Sequence, residues 1–193
     1  METVQMTAEQ VAQRTARFDQ LQAMSTLKDN PVVPLAARDI FLARKIMPIL
    51  LEQTQNAFGS IAAIYGAAGL TMNISVCPPG QGPGLHAHHK TFETFFVLQG
   101  KFEFSVNDDG GEKVVLNQWD TLSVPPGVCR GFRNIADSDS VLLTVITGGV
   151  HDRNDISLPP SIGERLDAFG PGVLDEVKKI GLTFDAGATA SAQ

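Results

Sequence analysis

The stretch His86-Ala87-His88, followed by Glu93, holds the residues of this chain best suited to chemistry. Two histidines two apart on a β-strand share one face, because side chains alternate. A carboxylate five residues on can join them around one divalent metal, leaving positions open for substrate. Neutral imidazole and carboxylate together suit Fe, Mn, Ni, Cu or Zn. The bland alternative for the pair is two polar residues at a rim, hydrogen-bonded to water. His89 has the opposite parity and is expected to point outward. Glu93 lies among Phe92, Phe95 and Phe96, and a carboxylate in apolar surroundings is costly unless it is paired or bound to metal. Arg130 is the other candidate partner. It either forms a buried ion pair with Glu93 in place of metal, or stands beside the metal and grips an anionic substrate through its planar fork. A cation next to a divalent ion lowers the affinity for that ion. His151, after the last apolar run, is a candidate acid/base, with a solvated loop residue as the alternative.

Short runs must hold these side chains in place. From 61 to 147 the chain reads as β-strands, among them Leu70–Val76, Leu85–His88, Thr94–Leu98, Phe102–Val106, Thr121–Val124, Gly131–Ile135 and Val141–Thr147. Clusters such as Pro78-Pro79-Gly80, Asn107-Asp108-Asp109-Gly110-Gly111 and Pro125-Pro126-Gly127 separate them. Many short strands at close spacing predict a sandwich or barrel. Phe95, Val97, Phe102, Phe104 and Phe132 read mainly as barrel core, and Asn134 as a structural hydrogen-bonder. Before the barrel, residues 7–28 read as a helix opened by a Thr7/Gln10 capping box, with Val11, Phe18 and Leu21 leaning to one face. Residues 31–60 fit either strand or short helix, and Pro48 argues against an uninterrupted central strand. After Gly148-Gly149 the pattern turns helical. Ser161 and Glu164 suggest a second capping box, and a last helix over Val173–Ile180 has acids first, lysines last and Gly181 as its stop. The expected organisation is a helical arm over 1–30, a β-barrel over 31–150 and a helical extension over 151–193 whose small, polar end frays.

Composition narrows the rest. The chain has 193 residues, 43% hydrophobic and 19% charged, with a net charge of −6. That size can bury a core without disulfides. No basic block invites nucleic acid or an anionic membrane, and no apolar run spans a bilayer. The N-terminus lacks an apolar signal core, and Cys77 and Cys129 read as reduced, buried thiols, so a cytoplasmic location is expected. There is no phosphate-cradling loop, Cys-x-x-Cys pair or serine nucleophile elbow.

The spacing Gly80, His86-x-His88, Glu93, Gly100 resembles in full the first motif of the cupin superfamily. Pro125-x-Gly127 and Asn134 fall in the register of the second motif, and Asp120 stands where members often carry Asp. Trp119 replaces the expected glycine, and Arg130 replaces the expected metal-binding histidine. The resemblance covers about residues 70–147. It implies an all-β, double-stranded β-helix (jelly-roll) barrel, here with an N-terminal helix and short C-terminal helices. It also implies a metal inside, held by His86, His88 and Glu93. The wording around Glu93 is similar to that of small bacterial and quercetin-dioxygenase-like cupins. The expected function is therefore metal-dependent chemistry on a small organic, anionic or enolic substrate, with an Fe(II)-dependent dioxygenase as the first reading. Iron is the favoured metal, with Mn, Ni, Zn or Cu open. One alternative is a metal-free binding or sensing protein in which Arg130 pairs with Glu93. Another is a metal-dependent isomerase or lyase. Exposed barrel edges usually need cover, so a homodimer is expected.

Overall fold

The computed structural model describes residues 1–52, 61–148 and 153–188. Helix α1 (Ala8–Gln13) and helix α2 (Leu35–Arg38) precede strands β1 (Lys45–Leu51), β2 (Ile64–Tyr65), β3 (Leu70–Cys77), β4 (Ala87–His88) and β5 (Phe92–Gln99). The chain continues through β6 (Lys101–Val106), β7 (Glu112–Asn117), β8 (Thr121–Val124), β9 (Arg130–Asn134), β10 (Ser140–Thr147) and β11 (Ile156–Ser157). Helices α3 (Pro160–Asp167) and α4 (Val173–Lys179) end the run. The described strands form a six-stranded sheet in the order β2-β1-β3-β10-β5-β8, a three-stranded sheet β7-β6-β9 and a pair β11-β4. This is the all-β jelly roll, and its strands fall close to the expected runs.

Alternation decides what fills the barrel. In β5, Glu93, Phe95 and Val97 are buried while Phe92, Thr94, Phe96 and Leu98 are half-buried or exposed. Phe95, Phe102, Phe104 and Phe132 pack together at ring-centroid distances of 4.9–5.7 Å. They close one end of the barrel as a solid core. Asn134, fully buried, donates to the carbonyls of Cys77 and Ser138 and accepts from Ala136 N–H and the Ser140 hydroxyl. It pins β9 to the ends of its neighbours. Gly100 turns the chain from β5 in one sheet to β6 in the other with φ +82°, where a Cβ would collide with Ser140.

The other end of the barrel stays open inside and is roofed from outside. Val33, Ala37 and Phe41 pack with Leu158, Ile162, Leu166, Val173, Val177 and Leu182 in a second core. Chain from both flanks of the barrel thus builds one helical cap.

Two expectations about helices need correction, while the interruption expected at Pro48 is present. The helix expected over 7–28 is only α1, plus a single 3-10 turn at Phe18–Gln20. Its Thr7/Gln10 capping box forms as read, but α1 buries no residue, and a short helix without a buried face has little to extend it. Further on, the Met24 N–H bonds to the Ile46 carbonyl, drawing the arm alongside β1. Helix α3 starts at Pro160 without a side-chain cap, so Ser161 does not serve as one. Proline at the first helical position is preorganised for the start and has no N–H to satisfy. Phe169, which follows α3, is exposed and takes no part in its buried face. Pro48 lies within β1, and the pairing with β3 shifts register between Pro48 and Leu50. Helix α4 matches its expected span and charge order.

Candidate metal centre

The segment Gly80 to His86 lies flat along β9, as successive backbone bonds show: Gly80 N–H to Asn134 O, Phe132 N–H to Pro83 O, and His86 and Arg130 exchanging both bonds. A Cβ at Gly82 would collide with the Phe132 carbonyl, and one at Gly131 would lie 2.7 Å from the Gly84 carbonyl carbon. The glycines therefore permit a backbone approach that sets His86 opposite Arg130. His88 follows on β4, two residues on and on the same side. Glu93 comes from β5, opposite Ile146 of β10 and Val124 of β8.

These placements bring His86, His88 and Glu93 together, with one ligand atom from each inside a 4.8 Å span. Each imidazole is oriented from behind. His86 Nδ1 lies 2.9 Å from the Gly84 carbonyl oxygen, which can only accept, so Nδ1 carries the proton. His88 Nδ1 lies 3.1 Å from Asp155 Oδ2, a carboxylate oxygen, and the same argument applies. Both Nε2 atoms then carry a lone pair, and each lies 3.7 Å from Glu93 Oε2. That distance is too long for a hydrogen bond. Two imidazole nitrogens and a carboxylate oxygen converging in this way can hold a cation between them. Ligand atoms about 2.0–2.2 Å from an ion stand roughly 3.0–3.6 Å from one another, so the set fits a metal after small inward shifts. Burial pushes His88 below its ordinary value, against the opposing pull of Glu93 and Asp155, which favours the neutral ligand form.

Asp155 had no motif to announce it. It is 2% exposed, accepts from the Thr91 hydroxyl at 2.6 Å and the Lys90 N–H at 2.7 Å, and holds His88. A carboxylate behind a metal-facing histidine fixes its tautomer and raises its basicity. Asp155→Asn has one acceptor oxygen where three donors converge. It is expected to weaken metal binding about 10–100-fold, read by competition with a chromophoric chelator.

Arg130 is completely buried. Its Nε donates to Glu93 Oε2 at 2.9 Å and its Nη1 to the Val128 carbonyl at 3.1 Å, while Nη2 has no hydrogen-bond partner among the described residues. The ion pair expected as one alternative is present. The guanidinium bonds Glu93 Oε2, the same oxygen that both imidazoles face, and is not among the residues lining the cavity. His89 is exposed, matching its parity. His151 lies outside the described residues.

The cavity beside the cluster is walled by Phe41, Leu42, Ile46, Phe132, Ile146, Ile156, Leu158 and Leu182 and holds about 110 Å³. Neither cysteine joins it. Burial pushes the Cys77 thiol up to about 12, and burial with the Asp108 hydrogen bond pushes Cys129 up to about 11. Both thiols are expected to resist iodoacetamide at pH 8 in the folded protein and to react on unfolding, as counted by mass spectrometry.

Comparison with known proteins agrees with this picture. The Cupin domain family model matches residues 73–146. A protein of Streptomyces cyaneus described as polyketide synthase CurC is 26% identical over 113 residues, covering 58% of this chain and 66% of that protein. An oxalate-binding protein of Thermotoga maritima is 32% identical over 69 residues, covering 36% of this chain and 54% of that protein. The matches thus span less than two thirds of either relative's length. Among solved structures, the cupin domain of Schizosaccharomyces pombe Cnp3 has 17% identity and a TM-score of 0.43, covering 54% of this chain and 64% of that one. A cupin protein of Bacteroides fragilis has 28% identity and a TM-score of 0.39, covering 42% and 68%. With the motif residues of its first half in place and their side chains converging inside a jelly roll, residues 73–146 of this chain match the Cupin domain family.

Proposed function

We propose that the protein is a metal-dependent cupin enzyme that acts on a small, apolar, oxygen-bearing substrate inside its barrel, with Fe(II)-dependent dioxygenation as the leading reaction. The observation that carries this is the convergence of His86, His88 and Glu93, whose ligand atoms lie within 4.8 Å of one another, with each Nε2 3.7 Å from Glu93 Oε2. Two histidines and one carboxylate with further positions open are the ligand set of non-haem iron oxygenases. A bound Fe(II) supplies those open positions and the redox chemistry that O₂ requires. The chain's own residues do the rest. Gly84 and Asp155 hold the imidazoles, Arg130 holds Glu93, and the apolar cap keeps water from the reacting atoms. The apolar wall favours a small, largely apolar compound over a small dianion such as oxalate.

The test is elemental analysis of protein purified without chelator, then oxygen uptake by the iron-loaded form with acetylacetone and 4-methylcatechol. One metal per chain and uptake that needs iron support the proposal. Metal without uptake assigns the site to redox-neutral isomerase or lyase chemistry. No metal leaves the second reading, which the Arg130–Glu93 ion pair favours: a binding protein whose guanidinium replaces the ion.

A further inference from the structure

Three polar side chains in the cavity have no role in the metal centre. Asn73 and Ser75 on β3 and Thr144 on β10 line it. They form one patch, since Asn73 sits directly opposite Thr144 and Ser75 is two residues along on the same face. Ser75 and Thr144 are each 5% exposed. None of the three side chains hydrogen-bonds to any described residue. Ser75 and Thr144 are buried and Asn73 is half-buried; opening together on one space, their polar atoms are placed to bond a partner that arrives through it.

The patch lies apart from the metal ligands. Glu93 pairs with Ile146, and Thr144 is two residues before Ile146 on the same interior face. Thr144 is therefore the diagonal neighbour of Glu93, about 7–8 Å away between Cα atoms, with Asn73 one strand further. Between these two polar ends the lining is apolar. No lysine or arginine lines the cavity among the described residues. The space is on the scale of one six-membered ring, since benzene fills an apolar cavity of about 150 Å³.

We infer that Asn73, Ser75 and Thr144 recognise a neutral hydroxyl or carbonyl at the far end of a one-ring, otherwise apolar substrate whose near end meets His86, His88 and Glu93. The inference rests on the metal-centred reading above and adds its substrate class. Asn73 offers both a donor and an acceptor, and the hydroxyls of Ser75 and Thr144 rotate to either role. A carboxylate or phosphate at that end would find no cation.

The test compares two catechols on zinc-loaded protein by calorimetry: 4-(hydroxymethyl)catechol and 4-ethylcatechol, alike in shape but differing in the distal hydroxyl. Wild type is expected to prefer the hydroxymethyl compound about tenfold or more. Asn73→Leu and Thr144→Val are expected to lose that preference while still holding one zinc per chain. Thr144→Val keeps the side-chain shape and removes an unpaired buried hydroxyl, so its melting temperature should hold or rise by about 1–5 °C, the sign of a residue kept for recognition rather than stability. A zinc-loaded wild type without the preference, or one whose preference both variants retain, overturns the inference alone and assigns the patch to trapped water. A wild type that takes up no zinc overturns the metal-centred reading and the inference with it.

Discussion

Glu93→Gln is expected to abolish stoichiometric metal binding and to lower the melting temperature of the metal-free protein by roughly 6–20 °C. The amide keeps the size of the side chain but removes the anion that both Nε2 atoms face and that Arg130 pairs with at 2.9 Å. Arg130 is fully buried, so its charge is left without a counterion. Breaking one half of a buried pair typically costs about 3–5 kcal/mol. The same carboxylate sets an acid limit. Burial alone would push the Glu93 carboxyl up, but the positive charge of His88 once protonated in acid, of Arg130 and of protonated His86 outweighs burial and holds it well below the ordinary range. Asp155 is likewise depressed: burial would raise it, and its bonds from His88, Thr91 and Lys90 prevail. A depressed carboxylate contributes its full stability above the unfolded-state value and loses it as pH falls through the folded value. Wild type without metal is therefore expected to weaken progressively below about pH 4, and Glu93→Gln to weaken less steeply. Thermal melts from pH 2 to 7, with elemental analysis at neutral pH, check both statements. A variant that keeps its metal would show that the three side chains share no ion.

Arg130→His should act in the opposite sense on the metal. Position 130 pairs directly with His86 across the backbone. An imidazole Nε2 lies as many bonds from Cβ as the guanidinium Nε that now touches Glu93 Oε2. The substitution removes a cation from beside the ion and adds a fourth nitrogen ligand. Affinity for Zn(II) or Co(II) is expected to rise at least about tenfold in a chelator competition. Without metal, Glu93 loses its buried partner, so the empty variant should be less stable by about 3–5 kcal/mol. Excess metal should restore that loss, because an ion that binds only the folded state stabilises it by mass action. Affinity that stays level or falls would place the three ligand atoms out of common reach.

Much of this site was legible because its spacing encodes strand parity. His86 and His88 share a face, Glu93 shares one with Phe95 and Val97, and Gly100 marks a turn with no room for a side chain. The strand runs from 70 to 147 followed from the same alternation. Asp155 was not legible, because the His-x-His spacing is silent on what stands behind each imidazole. Its partner arrives more than sixty residues downstream, in a 3-10 turn without a motif. The patch of Asn73, Ser75 and Thr144 was hidden for a related reason. Small polar residues at inward positions look ordinary until register sets Asn73 against Thr144 across two strands distant in the chain. The N-terminal helix was over-read because Val11, Phe18 and Leu21 have helical spacing but no surface to bury against; Val11 and Phe18 remain exposed. Arg130 was legible as a partner of Glu93, but its exclusion from the cavity wall needed the depth of β9.

Trp119 is the only tryptophan of the chain and stands where the second motif favours glycine. Its φ is +76°, a conformation that suits glycine and strains an indole-bearing residue, yet the residue is 65% exposed and its ring lies 5.9 Å from that of Phe96. Phe96 faces away from the barrel interior, so the protein's sole long-wavelength emitter sits on the outer wall. Emission excited at 295 nm is then a gauge of what touches that wall, not of what enters the cup, and ligand titrations of this protein call for calorimetry or a coloured metal instead.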